Sequence, residues 1–348
     1  WEDLSKLDYR LSGVHHLMAD VFLYWCHRGV DGFRCDAGYM LPYEAWIYII
    51  SKVRHEYPNT VFLLEGLGGS WDTVEKLLGG AGLNWAYSEL FQNYDREQIT
   101  NYLGKWCYPV SETIGLQTNF AETHDNPRLA AKSKCWSKMR TAMCALLSVD
   151  GAFGITNGVE WYAADRINVH GSASLNWGAK ENQTAEIRRL QTILSIHSAF
   201  AAGAVLKFIH TGKDNTLALR RESAEDDSVV LVLVNLDAEK PQRIGWDSSL
   251  FQSDGLYDLL SGEQFGHRQA GYLMDPGEVR CLTPNAHELD ELNRQLKTPW
   301  IFPEKILRQK RRALAAELYV RYHGFEDMRS FKLDEVAKKL CTDPYHVY

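Results

Sequence analysis

Hydrophobic residues recur at helical spacing over 11–28, where Leu11, Val14, Leu17, Met18, Val21, Phe22 and Trp25 share one face and Gly29 follows as a stop. The run "VDGFRC" after it reads as a short strand. Pro42 opens a second helix, in which Trp46, Ile49, Ile50, Val53 and Tyr57 keep the same period until Pro58 ends it. "TVFLLEG" is a continuous apolar run closed by a carboxylate, the pattern of a strand covered on both faces. Strand-like stretches fall near 30–35, 60–65, 84–88, 117–122 and 150–155 with helix-spaced stretches between them, and 181–200 closes the series as a helix. This alternation with short connections predicts parallel βαβ units. From about residue 205 the texture changes. "NTLALRRE", "SVVLVLVNL", "YDLLSG" and "EVRCLTP" are short strands between polar turns with no intervening helices, which predicts a small antiparallel sandwich. Beyond it, "PEKILRQKRRALAAELYVRYHG" is helix-spaced, with Ile306, Leu307, Leu314 and Leu318 on one face. Its basic cluster Lys305, Arg308, Lys310, Arg311 and Arg312 then reads as the solvated face of a packing helix.

The polar residues that interrupt this pattern separate two architectures. Asp36, Glu65 and Asp125 each sit at the carboxyl end of a strand-like run. In a closed (β/α)8 barrel such ends converge on one mouth, whereas an open doubly wound sheet places its site at a switch point beside a glycine-rich phosphate loop. No such loop occurs in the sequence, so the barrel is favoured. The expected organisation is barrel over 1–202, β-sandwich over 203–283 and a helical extension over 284–348.

Composition adds mainly exclusions. Hydrophobic residues make up 45% and charged residues 24%, as in ordinary globular proteins. A formal net charge of −7 argues against broad capture of nucleic acid or an acidic membrane surface. No run approaches the roughly 18 apolar residues of a membrane span, and the first residues lack a signal peptide's layout, although Trp1 is no translation start. The seven cysteines (26, 35, 107, 135, 144, 281 and 341) are scattered, with no CxxC pair or zinc-like spacing. Reduced, mostly buried thiols of a cytoplasmic protein are therefore expected rather than a disulfide framework.

The three acids make chemical sense together. Retaining cleavage of a glycosidic bond uses two carboxyl groups roughly 5–5.5 Å apart, one as nucleophile and one as acid. Neighbouring parallel strands lie about 4.8 Å apart, so carboxylates that end adjacent strands fall in this range. Asp36 and Glu65 are 29 residues apart, one βαβ unit, and Asp125 comes two strands later, across the mouth. Arg34 lies two residues before Asp36 on the same strand face, where it favours the ionised carboxylate. Taken singly, each residue has a structural explanation. Arg34–Asp36 is then an ion pair, Glu65 a helix cap, and His124–Asp125 a turn before Pro127. The ordered coincidence of all three acids favours chemistry.

These segments resemble the α-amylase family, glycoside hydrolase family thirteen. "GVDGFRCDAG" resembles its second conserved region, "FLLEGLGG" its third and "NFAETHDN" its fourth. "GAFGITNGVE" and "INVHGSASLNWG" are similar to the eighth strand and its following loop, "WEDLSKLDY" to the segment before the helix leading into strand four, and 205–283 to the carboxyl-terminal sandwich. The resemblance implies that Asp36 is the nucleophile, Glu65 the acid and then the base, and Asp125 the transition-state stabiliser, with Arg34 and His124 binding the sugar. It implies a retaining enzyme acting on α-1,4-glucosidic bonds of glycogen, starch or maltodextrin, by hydrolysis or transglycosylation.

There are departures from the family pattern. Tyr39 and Met40 replace its frequent lysine–histidine pair, and Thr123 its frequent asparagine. These changes leave the acids intact but bring ordinary endo-amylase specificity and the family's calcium site into question, so no metal or cofactor is expected. The resemblance also implies a fragment. The barrel's first three βα units, its first conserved region and the inserted domain are expected before residue 1, as a partner part without which the chain is inactive. The competing readings are a non-catalytic carbohydrate-binding or scaffold protein of the same fold, and an unrelated barrel with a carboxylate metal site.

Overall fold

The computed structural model describes residues 5–168, 171, 174–212, 215–246, 255–265, 272–298, 304–324 and 332–342. Parts of three segments quoted above, 1–4, then 169, 170, 172 and 173, and Pro303, lie outside them, as do the side chains of Lys305 and Cys341. The chain forms two compact units, 1–296 and 297–348.

The first unit opens with helix α1 (Ser12–Cys26) and strand β1 (Gly32–Cys35), then α2 (Tyr43–Glu56), β2 (Val61–Leu64), α3 (Trp71–Gly79) and β3 (Trp85–Tyr87). Next come α4 (Arg96–Tyr102), α5 (Tyr108–Thr113), β4 (Leu116–Thr118), α6 (Leu129–Lys132), α7 (Lys134–Leu146) and α8 (Thr184–Ile196). Among the described residues, β1 to β4 form one parallel sheet in sequence order. The predicted alternation is therefore present, and three of its helices start where short polar side chains cap them. Ser70 accepts from Thr73 N, Asp95 from Gln98 N and Ser133 from Trp136 N. On α2 the predicted stripe is buried, with Trp46, Ile49, Ile50 and Val53 all in the core. A π-helical turn, Leu103–Cys107, separates α4 from α5, and Pro109, which has no N–H to donate, lies just beyond it.

Two sequence expectations need correction here. The stripe assigned to α1 is wider than the surface it packs on. Ala19 and Cys26 are buried and Met18 and Phe22 pack on the core, but Leu11, Val21 and Trp25 are exposed and Leu17 is 58% exposed. Leu17, Val21 and Tyr24 fall at i, i+4 and i+7 on the outer side. The strand expected at 150–155 reduces to a bridge between Asn119 and Phe153, made by Asn119 N to Ala152 O and Gly154 N to Asn119 O, both 2.9 Å. Asp150 and Gly151, at φ 51° and 66°, take the chain out of extended geometry just before it.

The antiparallel part comprises β5 (Val205–Ile209), β6 (Thr216–Glu222), β7 (Val229–Asn235), β8 (Gln242–Ile244), β9 (Leu256–Asp258), β10 (Gln264–Phe265), β11 (Tyr272–Met274) and β12 (Val279–Thr283). Its larger sheet runs β10-β9-β12-β7-β6-β5, and β11 pairs with β8 apart from it. The continuous apolar run of "SVVLVLVNL" has a simple cause: β7 is covered on both sides. Val230, Val232 and Val234 join the core shared with the helices, while Leu231 and Leu233 pack with Ile244, Trp246, Leu256 and Met274.

Buried Arg221 on β6 ties this sheet to the helices. Its Nε donates to Ala199 O at 2.9 Å and its Nη1 to Leu146 O at 3.1 Å and Ser148 O at 2.8 Å, over the Phe200 ring. Burial lowers its pKa to about 10. Helix α9 (Ala286–Lys297) is also part of this unit, apart from its last residue. Its Glu288 meets His197 Nε2 at 3.1 Å and accepts a very short bond from the Thr283 hydroxyl. The extension expected to begin at 284 therefore separates only from Lys297. In the second unit α10 (Glu304–His323) and α11 (Leu333–Thr342) bury Ala315 and Ala337. The expected stripe is not its core, since Ile306 and Leu314 are exposed. The basic cluster is partly paired, Arg308 and Arg312 with Asp334 and Arg311 with Glu304.

Replacing Arg221 by Met leaves three interior carbonyls without their donor. We expect a loss of about 3 kcal/mol or more, read from the urea midpoint; an unchanged midpoint would show that those carbonyls find other donors. Burial pushes the Glu288 carboxyl up, but bonds from His197 and Thr283 outweigh it and hold the group below its ordinary 4.5. Stability from ionised Glu288 is thus present above pH 4.5 and is lost as pH falls through the lower native value. Glu288→Gln should be less stable than wild type at pH 7 and converge on it in acid, as denaturation midpoints measured across pH will show.

Candidate active site

The site is built where β1 and β2 end. Their register pairs Cys35 with Leu64, so Asp36 and Glu65 each lie one residue past the last paired position of adjacent parallel strands. Gly38 lets the turn after Asp36 close, because a Cβ there would stand 2.5 Å from Leu64 Cδ1, and Trp46 Nε1 holds the turn through Gly38 O at 2.8 Å. Ala37, at φ 43°, turns its N–H onto Glu65 Oε2 at 2.8 Å, while Leu67 N donates to Oε1 at 3.0 Å. The Glu65 carboxyl is thereby fixed by backbone donors from both strand ends, and the residue is only 9% exposed. The glycine loop after it is pinned in turn by Gly68 N donating to Glu89 Oε1 at 2.9 Å.

Asp36 is held differently. Arg34 Nη1 donates to its Oδ1 at 2.5 Å, and the aspartate side chain is 79% exposed at the rim. Burial opposes the Arg34 charge, but hydrogen bonds to Asp36 and Tyr87 outweigh it and raise the guanidinium's pKa. Between them Cys35 turns inward, and burial pushes its thiol up to about 12. The alternation of a strand thus puts the ion pair on the site and the thiol in the core.

Asp125 and His124 come from the loop after β4. Asp125 N donates to Thr123 Oγ1 at 3.2 Å, and His124 Nε2 lies 3.4 Å from Asp125 Oδ2, whose side chain is 65% exposed. Arg34, Glu65, His124 and Asp125 line one cavity of about 140 Å³, with Tyr87, Phe120, Glu122, Thr123 and Thr156 among its other walls. Four of the five sequence-derived residues therefore share a pocket, and the fifth, Asp36, reaches it through Arg34. Sequence reasoning missed Tyr87, Phe120, Glu122 and Thr156. Phe120 and Glu122 alternate within "NFAETHD", a signal open to the same strand-face logic; the tip of β3 and the loop at Thr156 had none. Among the described residues no group of three or more His, Cys, Asp or Glu is placed to hold a metal ion.

No protein-family model matches the chain. It is 25% identical over 288 residues to the α-1,4-glucan:maltose-1-phosphate maltosyltransferase of Cereibacter sphaeroides, covering 76% of this chain and 42% of that protein. Against the protein of that name from Pseudomonas aeruginosa, identity is 25% over 287 residues, covering 77% and 42%. The chain thus spans about two fifths of the length of these relatives. Among solved structures, an α-amylase from Lactobacillus plantarum superposes with a TM-score of 0.64 at 18% identity, covering 81% of this chain and 69% of that one. The α-amylase from H. orenii superposes with a TM-score of 0.64 at 16% identity, covering 82% and 67%. The chain thus shares the fold of these α-amylases and is similar in sequence, over about three quarters of its length, to these maltosyltransferases.

Proposed function

We propose that this chain carries the catalytic carboxylates of a retaining enzyme that cleaves or transfers at α-1,4-glucosidic bonds. The observation that carries the reading is the β1–β2 register, which sets Asp36 and Glu65 on neighbouring strand ends, a spacing of about 4.8 Å between strands that suits the double displacement. In the first step an Asp36 oxygen attacks the anomeric carbon, the bond to the leaving oxygen breaks, and that oxygen takes the Glu65 proton. In the second step Glu65, now ionised, removes a proton from the incoming hydroxyl as it displaces Asp36. Arg34 orients the Asp36 carboxylate through their ion pair, and Asp125 with His124 binds the hydroxyls of the sugar whose ring gains positive charge.

Water and a sugar hydroxyl serve equally as the second nucleophile. The names of the relatives support transfer of a maltosyl unit, and those of the structural neighbours support hydrolysis. The substrate on either reading is an α-glucan or malto-oligosaccharide, with no cofactor.

With the full-length protein, Glu65→Gln should lower kcat on maltodextrin by about 10²–10⁴-fold, the usual worth of a general acid–base. Maltosyl fluoride, whose leaving group needs little protonation, should still react with this variant and leave a maltosyl adduct on Asp36 in a peptide mass map. Glu65→Gln turning over maltodextrin at the wild-type rate would overturn the assignment. Asp36→Asn should form no adduct, and product chromatography with and without added maltose separates water from sugar as acceptor.

A further inference from the structure

The residues that carry Asp125 and His124 lie in a segment without regular structure. After the bridge at Asn119, residues 120–128 belong to no helix or strand. Something else must hold the Asp125 carboxylate to the accuracy that transition-state stabilisation demands. A buried ion pair brackets the segment. Glu122 and Arg128, three residues before and after Asp125, have side chains 2% and 0% exposed, with Arg128 Nη2 2.6 Å from Glu122 Oε1.

The pair is closely tied to the backbone around it. Arg128 Nε donates to Glu122 Oε1 at 2.8 Å, and Leu129 N donates to Glu122 Oε2 at 2.7 Å. Two further bonds reach the facing wall of the pocket: Arg128 Nη2 to Asn157 O at 3.0 Å, and Thr156 Oγ1 to Glu122 O at 2.6 Å. Gly158 leaves room for the guanidinium, since a Cβ there would lie 3.0 Å from Arg128 Nη2 and its φ is +98°. The base of the loop is thus bound both to itself and to the opposite wall, while its tip stays open to a ligand.

We propose that Glu122 and Arg128 are positioning residues for the reaction proposed above: a buried clamp that sets Asp125 across the pocket from Glu65. The inference rests on that functional reading. A buried pair of this kind is poor evidence for stability, because two well-packed apolar side chains often do as well. Its geometric product is specific: two guanidinium nitrogens converge on Glu122 Oε1 while Leu129 N takes Oε2, so the position and the orientation of the carboxylate are fixed together.

The test uses the full-length protein and its kcat/KM on maltodextrin. Arg128→Lys, which keeps the charge but loses the fork, should cost about 10²-fold, the usual price of an ångström's misplacement. In an Asp125→Asn background the same substitution should cost less than about twofold, the ordinary limit of additivity error. Thr156→Val, which cuts one strut and leaves the pair, should lie between wild type and Arg128→Lys. The apolar double variant Glu122→Leu/Arg128→Met should keep a wild-type-like unfolding midpoint yet share the kinetic loss. Arg128→Lys with wild-type kcat/KM, or a full 10²-fold cost added to Asp125→Asn, overturns the inference. If Arg128→Lys does not fold, Thr156→Val decides: an unchanged kcat/KM counts against the clamp and a loss absent in the Asp125→Asn background counts for it. No turnover of α-glucan by wild type overturns the functional reading and the clamp with it, whereas wild-type turnover insensitive to these changes overturns the clamp alone.

Discussion

Irregular backbone in the interior of this protein depends on buried guanidinium groups that donate to main-chain carbonyls. Arg140 on α7 donates to Leu90 O at 3.0 Å, Phe91 O at 2.8 Å and Asn93 O at 2.8 Å, between the rings of Tyr94 and Trp136. It thereby holds the segment after β3 that supplies Glu89. Arg221 does the same for the end of α7 and the chain near Ala199, and Arg128 for the loop at Asn157. A carbonyl shut away from water and outside a ladder costs free energy unless something donates to it. One planar group with five donors serves two or three such carbonyls at once. The cost is desolvation, visible in the lowered pKa of Arg140 and Arg221, and it explains why these arginines sit where several carbonyls converge.

The two carboxyl groups of the site are held in contrasting ways. Glu65 receives backbone donors on both oxygens and sits in the wall, whereas Asp36 stands at the rim with one guanidinium beside it. A residue that exchanges a proton twice in a cycle benefits from a fixed orientation in a secluded setting. A residue proposed to attack a carbon benefits from access and from a partner that orients it. The strand geometry supplies both environments one spacing apart, without any loop having to be long.

Much of this was legible in the chain itself. Strand ends are the most readable feature, because a buried apolar run that stops at a carboxylate marks a fold boundary and a candidate reactive group together; Asp36 and Glu65 do follow β1 and β2 directly, whereas the strand expected to lead to Asp125 stops at Thr118 and leaves it in an irregular segment. Apolar periodicity worked on α2, where one stripe meets one surface. It failed on α1, whose apolar positions span more of the helix than its neighbours cover. It failed again at α10, where the small residues Ala315 and Ala337, and not the leucines, are the buried ones. The buried arginines were invisible. Their partners are carbonyls, which every residue carries, so nothing in the sequence says which of them will lie within reach.

Cys35 carries a consequence of its own. It is bonded to both members of the Arg34–Asp36 pair, and in another setting so near a guanidinium its thiolate would be an easy target. Here the strand turns it into the core and burial keeps the proton on sulfur. The immediate neighbour of the candidate nucleophile is therefore held as a buried, protonated thiol, turned away from the pocket and from reagents that need a thiolate.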